Sequence, residues 1–346
     1  MLMTEASAIL KDERAQNHYR FKPSVACVER EKVMVLVSTD KGASVRVSAV
    51  AKQLLPILYR GANFSELSEH LRKLHPTARD IDAKLHVFLT QLSNAGLLEN
   101  SEKKSRVNIN SPKIRLLDLD PGAKLIAEGI KSVPRVFSWF MLAALLGLSC
   151  LVLLWMIVTG QLPAMTSLVD RFHIAGVAIF VLLVVPLHEF SHAIATRLAG
   201  IKAGYLGVVV HNGFVPGPYI ETPEIYQLKS KISRFWIPAA GPIIDFLAVG
   251  FSGAMILWGP QDPVVQDIFV TLFFISLMFV YFDTNPITPS DGSHMLEALF
   301  DDELARVSAL SFKRATLSAH KTVAAYRVIA SMHLQLAVFL LYLWWS

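Results

Sequence analysis

Between residues 136 and 159 the chain runs for 24 residues without a charged side chain. A helix rises 1.5 Å per residue, so such a stretch reaches about 36 Å and crosses about 30 Å of hydrocarbon with some tilt. Comparable stretches are read at about 174–199, 235–258, 264–282 and 324–345. The sequence therefore predicts a mainly α, polytopic membrane protein with about five transmembrane helices. Composition agrees: 53% of the residues are hydrophobic and 18% charged, against about 45–50% and about 25% in a soluble domain. Disordered, collagen-like and disulfide-scaffold classes are excluded on the same grounds. The two cysteines, Cys27 and Cys150, are too few for a disulfide framework or a cysteine zinc site. The N-terminal segment is rich in charge and has no apolar run, so it is not read as a cleaved secretory signal.

Charge is distributed unevenly. Residues 1–135 carry 22 Lys/Arg against 15 Asp/Glu, whereas residues 136–346 carry 11 against 13. Lys229, Lys231, Arg234, Lys313, Arg314, Lys321 and Arg327 fall in connections that share a side with the N-terminal region. The opposite connections hold only Arg171. By the positive-inside rule the N-terminus is expected in the cytoplasm, in a multi-pass protein of the cell inner membrane, with the C-terminus outside. The expected organisation is a small cytoplasmic α+β domain (1–110), an amphipathic linker along the membrane surface (111–135, with a helix over 114–132) and a transmembrane domain (136–346).

In the first region, residues 33–38 and 43–47 read as a hairpin turning at Asp40-Lys41-Gly42. A helix with its apolar face on Val47, Val50, Ala51, Leu54, Leu55 and Leu58 is expected from Ser48, ended or kinked by Pro56. A second helix is marked by Phe64, Leu67, Leu71 and Leu74. A third is expected with Thr77 as N-cap, Ile81, Leu85, Phe88, Leu89 and Leu92 on its buried face, and Gly96 at its end. A strand at Leu97-Leu98 closes a winged-helix-like module. Lys84 and His86 are the only basic-type residues along the middle of the third helix, so no nucleic-acid partner is expected. Residues 25–100, with the ending LSNAGLLE, resemble the PqqD-like peptide-recognition domains of ribosomal-peptide modification systems. That resemblance implies capture of a leader peptide as an added strand; a domain that only packs or dimerises is the alternative.

Chemistry concentrates in the second apolar stretch, at His188-Glu189-Phe190-Ser191-His192. Positions i and i+4 share a helix face, so both imidazoles can reach one metal while Glu189 stands beside them to move a proton. Ionisable groups at membrane depth cost about 2.5–3.5 kcal/mol each on insertion scales and are functional by default. A zinc site needs a third protein ligand. Asp291 is the candidate, in Asn285-Pro286-Ile287-Thr288-Pro289-Ser290-Asp291-Gly292, where two prolines break the helix and free the chain to bend. Asp245 is the rival carboxylate on a neighbouring span.

HEFSH, Ala240-Gly241-Pro242 and NPITPSDG, in this order over residues 174–300, resemble the site-2 protease family of intramembrane zinc metallopeptidases. Gly217-Pro218-Tyr219-Ile220, Asp291-Gly292 with the residues after it, and Lys313-Arg314-Ala315 look like the bacterial peptide zinc metalloprotease branch. The resemblance implies one zinc per chain on His188, His192 and Asp291, with Glu189 as catalytic acid/base and Asn285 holding substrate backbone or an oxyanion. It also implies a membrane-associated hairpin over 204–220 that pairs with an unwound substrate strand. Asp245 departs from the family, which commonly has asparagine there. The expected function is endoproteolysis of membrane-associated peptides or transmembrane proteins, with leader processing of ribosomally made peptides as one form. Alternatives are a regulatory protease acting on an anti-sigma factor or remnant signal peptide, and a non-catalytic peptide exporter or immunity protein. His211 and His294 read as interfacial or capping residues, Asp283 as a solvated helix end, and the tryptophans near the span ends as interfacial anchors.

Overall fold

The computed structural model describes residues 18–29, 34–38, 44–47, 49–78, 80–99, 113–211, 215–220, 225, 228–302, 305–311 and 320–345. The chain forms two compact units: residues 1–109 with 223–229, and residues 110–222 with 230–346.

In the N-terminal unit, β1 (His18–Tyr19) is followed by an antiparallel sheet of β2 (Val25–Glu29), β3 (Met34–Ser38) and β4 (Ser44–Val47), in that order. The turn expected at 40–42 lies outside the described residues. The helix expected from Ser48, ended or kinked by Pro56, is instead two helices, α1 (Ala49–Lys52) and α2 (Leu55–Arg60), with the break before Pro56. Pro56 stands in the first turn of α2, where a missing N–H breaks no bond. Next, β5 (Ala62–Asn63) pairs with β1 and delivers Asn63 as N-cap of α3 (Phe64–Leu74), in a capping box with Glu66. The third helix, α4 (Ile81–Asn94), corrects the sequence reading at its start. Asp80, with φ +61°, occupies the N-cap position instead of Thr77 and makes no side-chain cap bond. Its other end is as expected: Gly96 takes φ +72°. Leu98 then bridges to Phe21. Leu36, Leu58, Leu67, Leu92 and Leu97 are fully enclosed in the core.

The second unit begins with β6 (Lys113–Asp118), α5 (Asp120–Ser132), α6 (Arg135–Val158) and the short α7 (Ser167–Asp170). The helix expected over 114–132 thus starts only at Asp120. Residues 113–118 are extended because they pair with β7 (Tyr205–His211), which in turn pairs with β8 (Val215–Ile220). Between β6 and β7 in sequence lies α8 (Ile174–Leu198), whose residues Phe180–Val184 form a π-turn. After β8 come α9 (Lys231–Trp258), α10 (Pro263–Asp283), α11 (Asp291–Leu299), α12 (Ala305–Leu310) and α13 (His320–Trp345). Among the described residues, four helices (α6, α8, α9 and α10) are long and apolar enough to cross a membrane. A mainly helical chain with these four and small sheets has the make-up of a polytopic membrane protein. The stretch read as a fifth span lies within α13, where residues 339–345 are described only in backbone.

Helix α9 packs against α6, α8, α10 and α11 and is the hub of this unit. Phe180 and Val184 of α8 meet Leu272 of α10, and Val152 and Met156 of α6 pack with Val249, Val270 and Phe273. Alternation of direction brings the end of α8, the start of α9 and the end of α10 to one end of the bundle. There α5 lies along α8: Asp120 pairs with Arg197 and accepts from the Ala203 amide, Lys131 donates to the Arg197 carbonyl, and Ala123 packs with Ala193.

Candidate metal centre

Pro186 has no N–H for the carbonyl one turn back. The chain meets this with the π-turn just before it, in which the Val185 amide reaches the Phe180 carbonyl five residues away. The regular helix that follows carries His188, Glu189 and His192, all buried. His188 Nε2 and His192 Nε2 stand 3.2 Å apart.

Asp291 reaches them from the turn after α10. The Asn285 side chain accepts from the Ile287 amide at 2.8 Å, Ser290 Oγ donates to the Asn285 carbonyl, and Tyr326 Oη of α13 donates to the Pro286 carbonyl at 2.6 Å. Ser290 then caps α11, with Asp291 in its first turn. Gly292 closes the loop: a Cβ there would stand 2.2 Å from the Thr284 carbonyl oxygen. The result places Asp291 Oδ2 3.3 Å from His188 Nε2 and 3.2 Å from His192 Nε2. Burial alone would raise the Asp291 carboxyl pKa, but the charge of His192 and hydrogen bonds from both imidazoles hold it well below the usual carboxylate range.

The three atoms form a nearly equilateral triangle with edges of 3.2–3.3 Å. A tetrahedral zinc with ligands at about 2.0–2.1 Å separates them by about 3.3–3.4 Å, so the donor set fits that ion. Two imidazoles and one carboxylate leave a fourth position for water. Other borderline divalent ions favour the same donors.

Helix α9 completes the centre with two residues that lie two turns apart. His192 Nδ1 lies 2.7 Å from the Ile237 carbonyl and His188 Nδ1 lies 2.8 Å from Asp245 Oδ2. Between these positions is Gly241, where a Cβ would stand 2.3 Å from His188 Nε2 and 2.5 Å from His192 Nε2. Only a residue without a side chain lets the helix come this close. Pro238 and Pro242 lie in the same turns of α9, and each leaves a carbonyl one turn earlier without its usual donor.

The sequence-expected residues His188, His192 and Asp291 are thus brought together, with Glu189 beside them in the buried helix. The Asn285 amide oxygen is engaged in its own turn, which leaves Nδ2 as the group able to donate outward. Asp245 stands at the Nδ1 side of His188, away from the triangle. Asp283 corrects its reading as a solvated terminus: its side chain is 27% exposed and Oδ2 lies 3.8 Å from His188 Nδ1. The available signal was an acidic residue two positions before Asn285, at the end of an apolar span. His294 pairs with Glu297 at 3.1 Å, apart from the metal set, and the His211 side chain lies outside the described residues. Sequence reasoning missed the contact that makes Gly241 necessary, since a glycine in an apolar helix carries no mark of what faces it. Comparison of the chain with protein-family models, with curated proteins and with solved structures gives no match in any of the three.

Proposed function

We propose that this chain is an intramembrane zinc endopeptidase of the site-2 protease kind. The supporting observation is the triangle of His188, His192 and Asp291 donor atoms, built on apolar membrane-length helices with Glu189 next to the first ligand. Zinc held by these three residues would supply a Lewis acid for the scissile carbonyl and a water acidified towards neutral pH. Glu189 takes the proton of the attacking water and returns it to the leaving amine nitrogen. Among the described residues no side chain hydrogen-bonds Glu189, so its carboxylate keeps acceptor capacity for that water. Asn285 Nδ2 is the donor offered to substrate backbone or to an oxyanion. Close packing of α9 across Gly241 and of α10 keeps bulk lipid from the ligands.

The peptide bond must be extended to be cut, since a helix keeps its carbonyls bonded within itself. Substrates are therefore membrane-associated peptides or transmembrane segments that unwind locally, through Gly, Pro or Asn near the cut. The excess of Lys/Arg before residue 136 orients the N-terminal unit to the cytoplasm of a prokaryotic inner membrane, which puts the centre near the cytoplasmic face. In the N-terminal unit the winged-helix-like arrangement of a small sheet and three main helices suits capture of a leader peptide at a sheet edge.

The test uses the full-length chain in detergent micelles with a membrane-anchored peptide. Near-stoichiometric zinc, together with peptide products that vanish in Glu189→Gln, is the expected result. Stoichiometric zinc with no product from any anchored peptide would replace the enzyme with a metal-containing exporter or immunity protein.

A further inference from the structure

Two groups of potential ligands share His188. One is the triangle with His192 and Asp291; the other consists of His188, Asp245 and Asp283, with Asp245 Oδ2 at 2.8 Å and Asp283 Oδ2 at 3.8 Å from Nδ1. A neutral imidazole has one N–H and one lone pair. When Nε2 gives its lone pair to a metal, Nδ1 carries the proton and cannot bind a second ion. The second group is then a hydrogen-bond acceptor for His188, and the distances choose Asp245 over Asp283.

Asp245 bears the signs of a residue kept for this contact. It is fully buried in an apolar helix, and its Oδ1 has no hydrogen-bond partner. A buried carboxylate with one oxygen unpaired is costly, and any apolar residue of similar size would remove that cost. Its register also matters. Ile237, Gly241 and Asp245 recur every four residues along α9, the same interval that separates His188 from His192 on α8. One stripe of α9 therefore holds His192 through a backbone carbonyl, makes room through Gly241, and holds His188 through a carboxylate.

Resting on the metal-centre reading above, we propose that Asp245 is the positioning residue for His188. It accepts the Nδ1–H, fixes the tautomer and ring plane that aim Nε2 at the metal, and makes that nitrogen a stronger donor. The carboxylate that the sequence offers as a rival ligand acts through the histidine instead of on the ion.

The experiment measures zinc affinity of the purified full-length chain by competition with a chromogenic chelator, and the visible spectrum of its cobalt(II) form. Asp245→Ala should weaken zinc by about 10–100-fold and reduce the intensity of the cobalt bands, because the ring is free to turn. Asp245→Asn keeps the shape and an acceptor oxygen, so it should fold and lose about tenfold or less. Wild-type zinc affinity in both variants, with only thermal stability lowered, would make Asp245 a structural residue and overturn the proposal. Asp283→Asn should cost clearly less zinc affinity than Asp245→Ala, since Asp283 is 3.8 Å from His188 Nδ1, beyond hydrogen-bond reach, and reaches that histidine only beside Asp245; a loss as large as that of Asp245→Ala would take the role away from Asp245 alone and overturn the proposal. Asp291→Ala separates the two levels. If it keeps wild-type affinity, the ligand set itself is wrong. If it loses zinc while the Asp245 variants do not, the positioning role alone fails.

Discussion

The two units are built with different insides. The N-terminal unit encloses leucines, and among the described residues Ser68 is its only buried polar side chain. The membrane-length helices bury apolar clusters too, but add many polar side chains to them and turn large apolar ones outward. Phe140, Leu148, Leu151, Leu154, Leu182 and Val136 stand outward, while Ser149, His188, Glu189, His192, Thr196, Asp245, Ser252, Gln266, Thr271 and Ser276 are buried. In water, apolar burial drives folding and a core of leucines is the expected product. In lipid that drive is absent between helices, and close packing with polar contacts takes its place. Thr271 accepts from the His173 amide at 2.9 Å and Gln266 donates to the Pro260 carbonyl at 2.9 Å, contacts of the kind such an interior needs. A protein that must hide ionisable groups for chemistry can do so in the second kind of interior with less disturbance than in the first.

The largest expected effect isolates chemistry within the polar interior. Glu189→Gln keeps volume and hydrogen-bonding capacity but removes the proposed base, so on the proposed function peptide cleavage should fall by about 10²–10⁴-fold or more while zinc stays near one per chain. Product formation and zinc content measured on the same preparation check it; unchanged turnover would detach Glu189 from the reaction.

Gly241→Ala comes next and turns ordinary helix energetics against the site. Alanine is about 1 kcal/mol better than glycine in a helix interior, so the substitution should leave the helix content intact. Its Cβ, however, would stand 2.3 Å from His188 Nε2. Zinc affinity should drop by at least about 100-fold, the upper range for disturbing the surroundings of a metal ligand. Circular dichroism with chelator competition distinguishes this from unfolding, and a chain that binds zinc normally would show that α9 can retreat.

These two residues also mark how far the sequence could be read. Span positions follow from hydropathy because lipid imposes its thickness on any helix that crosses it. The four membrane-length helices differ from the expected stretches by a residue or two, except that α9 begins four residues earlier, at the cap provided by Ser230. His188, Glu189 and His192 were legible because helix geometry alone puts i and i+4 together. Asp291 required a chain reversal that Pro286 and Pro289 signal but do not aim; Tyr326, Ser290 and Gly292 aim it, from up to 40 residues away. The β6–β7 pairing was not legible. Its partners lie about 90 residues apart, and a register shift between Arg115 and Leu117 breaks the alternation that marks a strand. The capping box at Asn63 and Glu66 is a local signal that the sequence reading passed over, whereas Asp80 at φ +61° carries no such signal, since Thr77 offers the commoner cap.

Leu36→Ala probes the other interior. Leu36 is fully buried in the sheet of the N-terminal unit, and truncating such a leucine costs about 2–5 kcal/mol through lost transfer energy and an unfilled cavity. The N-terminal unit should melt earlier in differential scanning calorimetry while zinc affinity holds. A matching fall in zinc affinity would mean that the two interiors do not fold independently.

Tyr326→Phe should have the smallest effect and tests whether the polar interior extends beyond the four membrane-length helices. Tyr326 is fully buried among Ala305, Ala309 and Val323, and its hydroxyl reaches the Pro286 carbonyl at 2.6 Å. Pro286 follows Asn285 in the loop that delivers Asp291. Removing the hydroxyl leaves the ring packing intact and loses one hydrogen bond, a net cost of about 0.5–1.5 kcal/mol with an unpaired carbonyl added. If that bond holds the loop, part of the loss should appear at the metal as a two- to tenfold weaker zinc affinity, about 0.4–1.4 kcal/mol. If it serves only the packing of α13, thermal stability should fall by the same amount with zinc affinity unchanged. The difference between these readouts decides whether the last helix belongs to the scaffold of the metal centre or only leans on it.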